Sequence, residues 1–417
     1  MGGFSVKVAQ INMFPYASTG NIMLNIARAA RQHGHTARTY STVPFDRYEK
    51  APKKKLEDHY SWGSPFENMV HYYLGSTFGG NGLHSKHGTK KLLEDIERFS
   101  PDIIHLHNLH KFCINLPMLF DYLKRSGADV IWTLHDCWAF TGHCPYFEMV
   151  GCDKWRTSCH DCPQLDVYPR SRVDNSARMF KLKKKWFSDV PNMTIVTPSE
   201  WLAGLVKESF LGRYPIRVIN NGIDLSVFRP VESDFRRRYS IPQEKALLLG
   251  VAFGWGDRKG LDVFVDLAHR LDRDRYQLVL VGTDESVDAL LPDNIISIHK
   301  TQSQRELAEI YTAADLFVNP TREDNYPTVN MESVACGTPV LTFRTGGSPE
   351  MVGVGVGAVV PCNDNDALYS EIIRICRDKP YSREACIEYA KRFDMNEKFA
   401  EYVKLYEDST HSTKRTV

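Results

Sequence analysis

The 417-residue chain has almost no net charge: 52 Lys and Arg stand against 51 Asp and Glu, a formal +1. That balance removes the global electrostatic argument for nucleic acid, so no nucleic-acid partner is expected. The chain also lacks an apolar run long enough to span a bilayer and an N-terminal signal pattern. Gly2 invites myristoylation, yet position six is Val6 and not Ser or Thr. The expected location is therefore cytoplasmic, with peripheral contact at the inner face of the plasma membrane as a further option. Ten cysteines there are expected as thiols or metal ligands in preference to disulfides. At 42% hydrophobic content, the length suits two domains, each with its own core.

What the chain does have is an alternation of strand-like and helix-like stretches, most informative around Thr321–Val340. Leu316-Phe317-Val318 is an apolar strand ending at Asn319-Pro320, and a polar loop with Asp324, Asn325 and Pro327 follows. A helical pattern begins near Thr328, with Val329, Met331, Val334 and Ala335 available to pack. Gly337 and Pro339 stop it before a strand at Val340-Leu341. Parallel sheets bind ligands at such loops, and a helix N-terminus there suits an anionic or sugar-phosphate group. Asp324 and Glu332 are two carboxylates able to accept hydrogen bonds from sugar hydroxyls. On spacing alone, a capping Asp and a solvated helix Glu explain them more simply.

Val6–Ile11 reads as an opening strand, followed by a loop from Asn12 to Gly20 and a helix through Ile22, Leu24, Ile26 and Ala29. The junction lacks G-x-G-x-x-G, so its phosphate signal is weak. Residues 44–88 suggest no regular elements; Lys53-Lys54-Lys55 reads as a solvated basic run, and Gly75–Gly82 as a mobile loop. Leu92–Phe99 is a helix, and Asp102–His107 a strand with His105 and His107 on one side. Satisfied polar residues suit that pair better than metal ligands. Val130–Leu134 is a buried-type strand, and His135 follows at the carboxyl end, where parallel sheets present site residues, with Asp136 beside it as an orienting group. Ser199 reads as a helix N-cap. In the second half, Leu247–Val251, Tyr276–Val281 and Ile295–Ile298 are strands. The glycine-bearing loop Gly254–Gly260 carries Arg258 and Lys259, cations suited to a pyrophosphate. Helices are expected to about Tyr406, with a frayed tail from Asp408.

Cys144, Cys152, Cys159 and Cys162 fall in one short segment, the last two as Cys-x-x-Cys, with His143 and His160 nearby. Four thiols match a structural zinc site in number, and four protein ligands would leave no open catalytic position. Free cysteines in an insertion, or two disulfides, fit as well. Arg178–Phe187 is a basic helix with Met179, Phe180, Leu182, Trp186 and Phe187. It suits either an anionic membrane surface or, with its aromatics inward, the core.

The stretch from Asp324 through Glu332-Ser-Val-Ala-Cys-Gly-Thr-Pro-Val340 resembles the acidic-x7-acidic signature of the retaining family-4 glycosyltransferases. Asn221-Gly-Ile-Asp224 with Phe228 and Pro230, Lys259-Gly260 and Thr345–Glu350 also resemble that family, and the likeness covers nearly the whole chain. Asp324 stands where the commonest family form has Glu, and Asn325-Tyr326-Pro327 replaces its Gly-aromatic-Gly turn. Similar variants occur in members that build bacterial surface polysaccharides, including colanic-acid-like ones. The resemblance implies an α/β GT-B fold: two Rossmann-like doubly wound domains facing a cleft. The first would span 1–228 on the acceptor side, with a Cys-rich insertion at about 137–165. The second, 229–390, would hold the nucleotide sugar, and 391–417 would form a helix and tail packing back on the first.

It further implies that Glu332 binds the donor ribose and Asp324 the transferred sugar, with Asn325, Tyr326, Pro327 and Thr328 lending loop groups to sugar and phosphate. Gly20 would face the donor phosphates, and His135 would lie beside the sugar. Lys259 would stabilise the leaving diphosphate; Arg258 is our own substitute for a family arginine that this chain lacks. These cations would stand in for a metal, so no cofactor is expected for catalysis. The expected partners are a UDP- or GDP-sugar donor and a glycan or polyprenyl-diphosphate-linked acceptor. An isomerase of the nucleotide-sugar 2-epimerase type and a non-catalytic nucleotide-sugar-binding partner are the rival readings.

Overall fold

A computed structural model describes residues 5–43 and 56–413, so Gly2 and Lys53–Lys55 lie outside the described residues. The chain divides into two compact units: Met1–Ile219 with Lys398–Val417, and Asn220–Glu397.

The first unit is built on a seven-stranded sheet of β1 (Lys7–Ile11), β2 (Thr36–Thr42), β3 (His59–Trp62), β4 (Ile103–Leu106), β5 (Asp129–Thr133), β6 (Met193–Thr197) and β7 (Ile216–Val218). Its order is β3-β2-β1-β4-β5-β6-β7. All pairings are parallel, in registers such as Ile11 with Leu106 and Leu106 with Trp132. Every residue of β4 and β5 is buried, as expected of central strands covered on both faces.

The second unit carries a six-stranded parallel sheet of β8 (Ala246–Val251), β9 (Tyr276–Val281), β10 (Ile295–Ile298), β11 (Leu316–Asn319), β12 (Val340–Arg344) and β13 (Gly357–Pro361). Its order is β10-β9-β8-β11-β12-β13. Alternate side chains enter two separate cores. Leu247, Leu249 and Phe317 join one, while Leu248, Leu316 and Val318 join the other. Both faces are therefore sealed, which makes the unit doubly wound; each fully buried leucine contributes about 2 kcal/mol.

Strand order reverses between β1 and β4 in one sheet and between β8 and β11 in the other. Loops at the carboxyl ends beside such reversals form the natural ligand crevice of an open α/β sheet.

Several expectations need correction. Gly75 lies inside the helix Pro65–Phe78, where the Phe112 ring leaves no room for a Cβ, and the chain turns only at Gly79, with φ 65°. A second helix, Lys86–Phe99, starts before Leu92. The helix Pro65–Phe78 and β3 occupy a region read as irregular, because Tyr, His and Gly hide the apolar period. Gly20 sits in the first turn of the helix Ala17–Gln32 and not in the preceding loop; its missing side chain lets that helix abut the backbone of Phe14 and Pro15. The last helix runs to Thr413, beyond the expected fraying at Asp408. In the helix Ser176–Phe187, Met179, Phe180, Trp186 and Phe187 are buried, so its aromatics belong to the core and not to a membrane face. Among the described residues no helix is long and apolar enough to cross a membrane.

Candidate active site

In the second unit the β8 loop and the β11 loop flank the strand reversal and are tied together. Lys259 Nζ meets Asp324 Oδ2 at 2.5 Å, and both side chains are mostly shielded from solvent. Arg258 donates from Nη1 to the Glu323 carbonyl at 2.9 Å, while its own carbonyl accepts from Arg322 N at 2.9 Å. Arg258 therefore braces the two loops against each other. Arg322 adds a bidentate pair with Asp262, 2.7 Å to each oxygen, and a bond to Asn363 at 2.6 Å.

The acidic loop is held from behind by a glycine turn. At Gly346, φ is +52° and a Cβ would lie 1.6 Å from the Asp324 carbonyl oxygen. Only glycine permits that approach and that backbone conformation. Gly347 N donates to the Asn325 carbonyl at 2.9 Å, and Thr345 Oγ1 to the Arg322 carbonyl at 2.7 Å. The Tyr326 ring joins the hydrophobic core, and Pro327 precedes the first turn of the helix Thr328–Ala335. Asn325 is buried as well.

Glu332 lies one turn into that helix. Burial pushes its carboxyl up to about 7, against hydrogen bonds from Tyr311 and Thr328. Tyr311 donates from its hydroxyl to Oε2 at 3.2 Å. Beneath the helix, Asn319 Nδ2 donates to Asn330 Oδ1 at 2.8 Å, Asn330 Nδ2 to Ser348 Oγ at 2.9 Å, and Ser348 meets Thr342 at 2.8 Å. This buried chain locks β11, the helix, the glycine turn and β12 into one geometry. Sequence reading missed it, although a polar Asn330 on a packed helical face was the signal.

In the first unit the reversal lies between β1 and β4, and the residues beyond β4 and β5 form a second polar cluster. His135 is buried; that holds its imidazolium down to about 4, with Asp136 pulling the other way. Its Nε2 lies 3.1 Å from His107 Nδ1. Asp136, expected to orient His135, instead bonds His110 Nε2 at 3.0 Å and the Trp138 backbone N–H at 2.9 Å. Burial opposes its ionisation, yet these two partners hold its carboxyl below the usual range. His105 and His107 do share a side, with ring centroids 4.2 Å apart, as satisfied polar residues: His105 bonds Tyr406 at 2.6 Å and Thr133 at 2.8 Å. Gly20 belongs to this unit, and the structure brings it to Phe14 and Pro15.

Cys144, Cys152, Cys159 and Cys162 line one cavity with His143 and His160. All ten cysteines are free thiols. The Gly142 N–H donates to Cys159 Sγ at 3.1 Å. Lys183 is fully buried next to them, bonding the carbonyls of Trp138 at 2.7 Å and Thr141 at 3.0 Å. Burial pulls its ammonium down to about 7, while Cys159, Cys144 and Asp136 pull it up. Among the described residues, however, no group of three or more His, Cys, Asp or Glu side chains is arranged to hold a metal ion.

The family model "Glycosyltransferase Family 4" matches residues 19–227, half of the chain, and "Glycosyl transferases group 1" matches residues 232–393. WcaC of Escherichia coli K12, a glycosyl transferase named for colanic acid biosynthesis, is 24% identical over 62% of this chain and 64% of its own length. A D-inositol 3-phosphate glycosyltransferase of Catenulispora acidiphila is 30% identical over 47% of this chain and 52% of its own. The chain thus spans between half and two thirds of these curated relatives. Among solved structures, sucrose-phosphate synthase from Thermosynechococcus elongatus superposes with a TM-score of 0.72 at 17% identity, covering 98% of this chain and 100% of that one. Anabaena HepE in complex with UDP-glucose gives 0.62 at 14% identity over 99% of this chain and 100% of that one. Two doubly wound units, the acidic loop at the second reversal and these matches lead to one conclusion: the chain belongs to glycosyltransferase family 4 and has its GT-B fold.

Proposed function

We propose that the chain is a retaining glycosyltransferase that moves a sugar from a nucleotide-sugar donor to a glycan or polyprenyl-diphosphate-linked acceptor in surface-polysaccharide synthesis. The observation that carries this reading is the Lys259–Asp324 contact across the second reversal, with Glu332 on the adjoining helix. Glu332 accepts the ribose hydroxyls, Asp324 contacts the sugar, and Asn325 to Thr328 supply backbone and hydroxyl groups to sugar and phosphate. Lys259 lies where it can leave Asp324 for the departing diphosphate, with the helix N-terminus adding its positive end. These charges do the work of a metal ion. Arg258 spends an Nη1 donor on the Glu323 carbonyl to support the loop, and its remaining guanidinium donors are the ones a diphosphate would meet. Gly20 lets the first helix start close to the phosphate-facing loop, and His135 approaches the sugar. No nucleophile is required if the leaving phosphate takes the acceptor proton and the new bond forms on the same face.

The relatives' names support the substrate class: one is named for colanic acid synthesis, and another was solved with UDP-glucose. The test is turnover of UDP- and GDP-sugars with a lipid-linked saccharide extract, in EDTA, with the product anomer read by NMR. A retained anomer in EDTA supports the reading. An inverted anomer, a strict metal requirement, or epimerised free donor without acceptor overturns it.

The same proposal places a structural zinc on Cys144, Cys152, Cys159 and Cys162. Its support is the cavity that the four thiols share; four thiolates around zinc would add to the charge that Asp136 already sets against the buried Lys183. Metal analysis of the purified chain giving about one zinc supports this. None leaves a thiol-lined insertion.

A further inference from the structure

Gln10, on β1, reaches into the helix Ala17–Gln32. Its amide faces the Ala27 backbone N–H at 3.0 Å and the Met23 carbonyl at 3.3 Å, and one orientation satisfies both: oxygen toward Ala27, nitrogen toward Met23. The same nitrogen is then 3.1 Å from His107 Nε2. An amide nitrogen only donates, so His107 Nε2 must accept and carries no proton. A neutral imidazole then holds its proton on Nδ1, which faces His135 Nε2 at 3.1 Å. That bond makes His135 Nε2 an acceptor in turn and leaves the His135 proton on Nδ1. The two rings are stacked, 5.4 Å apart at 18°. Burial keeps both imidazoles neutral near pH 7, His107 well below its ordinary value and His135 at about 4.

We propose that Gln10 and His107 are positioning residues: through them two backbone groups of the first helix dictate the tautomer of His135, fixing it as an Nδ1–H donor whose Nε2 lone pair is already engaged. This rests on the reading that His135 faces the transferred sugar. Its consequence is that His135 does not serve the substrate as a proton acceptor through Nε2, whose lone pair His107 already occupies.

The test is the tautomer itself, read by long-range 1H–15N correlation on the 15N-histidine-labelled full chain at pH 7 without donor. His135→Gln and His107→Gln assign the signals. The expected spectrum shows Nδ1 protonated and Nε2 pyridine-like for both rings. Gln10→Glu replaces the amide donor with an acceptor, so both rings should invert to Nε2–H. Donor KM should be retained while kcat falls about tenfold, the worth of one hydrogen bond in the transition state. A wild-type His135 protonated on Nε2 overturns the inference without any variant. So does Gln10→Glu with unmoved tautomers, or with inverted tautomers and unchanged kcat. If no nucleotide sugar binds the wild type, the functional reading fails while the tautomer assignment stands on its own spectrum.

Discussion

Glu332 is where single-residue chemistry is most exposed to test. Buried beside Tyr311, its carboxyl sits at about 7, above the ordinary 4.5. A protonated acid has lost acceptor capacity, so ribose hydroxyls should favour the carboxylate and drive proton release on binding. Calorimetry from pH 5.5 to 8.5 should show donor affinity rising with pH up to about 7 and then levelling, with Glu332→Gln weak and flat throughout. Affinity that increases as pH falls would contradict this role. The stability sign runs the other way. A raised folded value means the contribution of Glu332 is complete below 4.5 and disappears as pH climbs through about 7. The donor-free melting temperature should therefore fall between about pH 4.5 and 7 and level off above that, and Glu332→Gln should abolish the fall.

At the scale of elements, the acidic loop owes its shape to the turn at residues 345–347. Gly346→Ala puts a methyl against the Asp324 carbonyl in a backbone region hostile to side chains. The expected stability loss is about 1–3 kcal/mol, with donor binding lost more severely than that loss explains. Donor affinity unchanged in a folded Gly346→Ala protein would separate the loop geometry from binding. This element was partly legible beforehand. The helix from Thr328 and the strand at Val340 have the expected starts, because Pro327, Gly337 and Pro339 punctuate them strongly. Lys259 and Asp324 were each visible as candidates, but 65 residues separate them, and no local pattern reports a contact made by strand order. The same holds for Asp136. Adjacency in sequence suggested His135 as its partner, whereas successive residues leaving a strand point apart, and His110 came from another loop.

At the scale of the whole chain, the second unit is continuous in sequence and has its own two cores, while the first needs residues from both ends of the chain. Phe399, Tyr402, Val403 and Tyr406 are buried, and Tyr406 bonds His105 at 2.6 Å. Removing residues 398–417 should therefore lower the melting temperature of the first unit or prevent its folding, whereas a fragment of 220–397 should fold alone and bind the donor nucleotide. Limited proteolysis and calorimetry on the two proteins would show this. A truncated chain as stable as the full one would contradict the assignment of the last helix to the first unit. Two domains were legible from length and from the repeated strand–helix rhythm. The discontinuity was harder to read, because the final helix has only modest amphipathic patterning and its partners, His105 and Thr133, lie some three hundred residues earlier.

The most direct measurement is calorimetric binding of UDP-, GDP- and dTDP-sugars to the purified chain in EDTA, alongside Lys259→Ala and Glu332→Ala. The account predicts one preferred nucleotide sugar, bound without metal by the wild type and lost on the order of tenfold or more in each variant. Binding that both variants retain, or no binding to any donor even with a lipid-linked acceptor present, would contradict it.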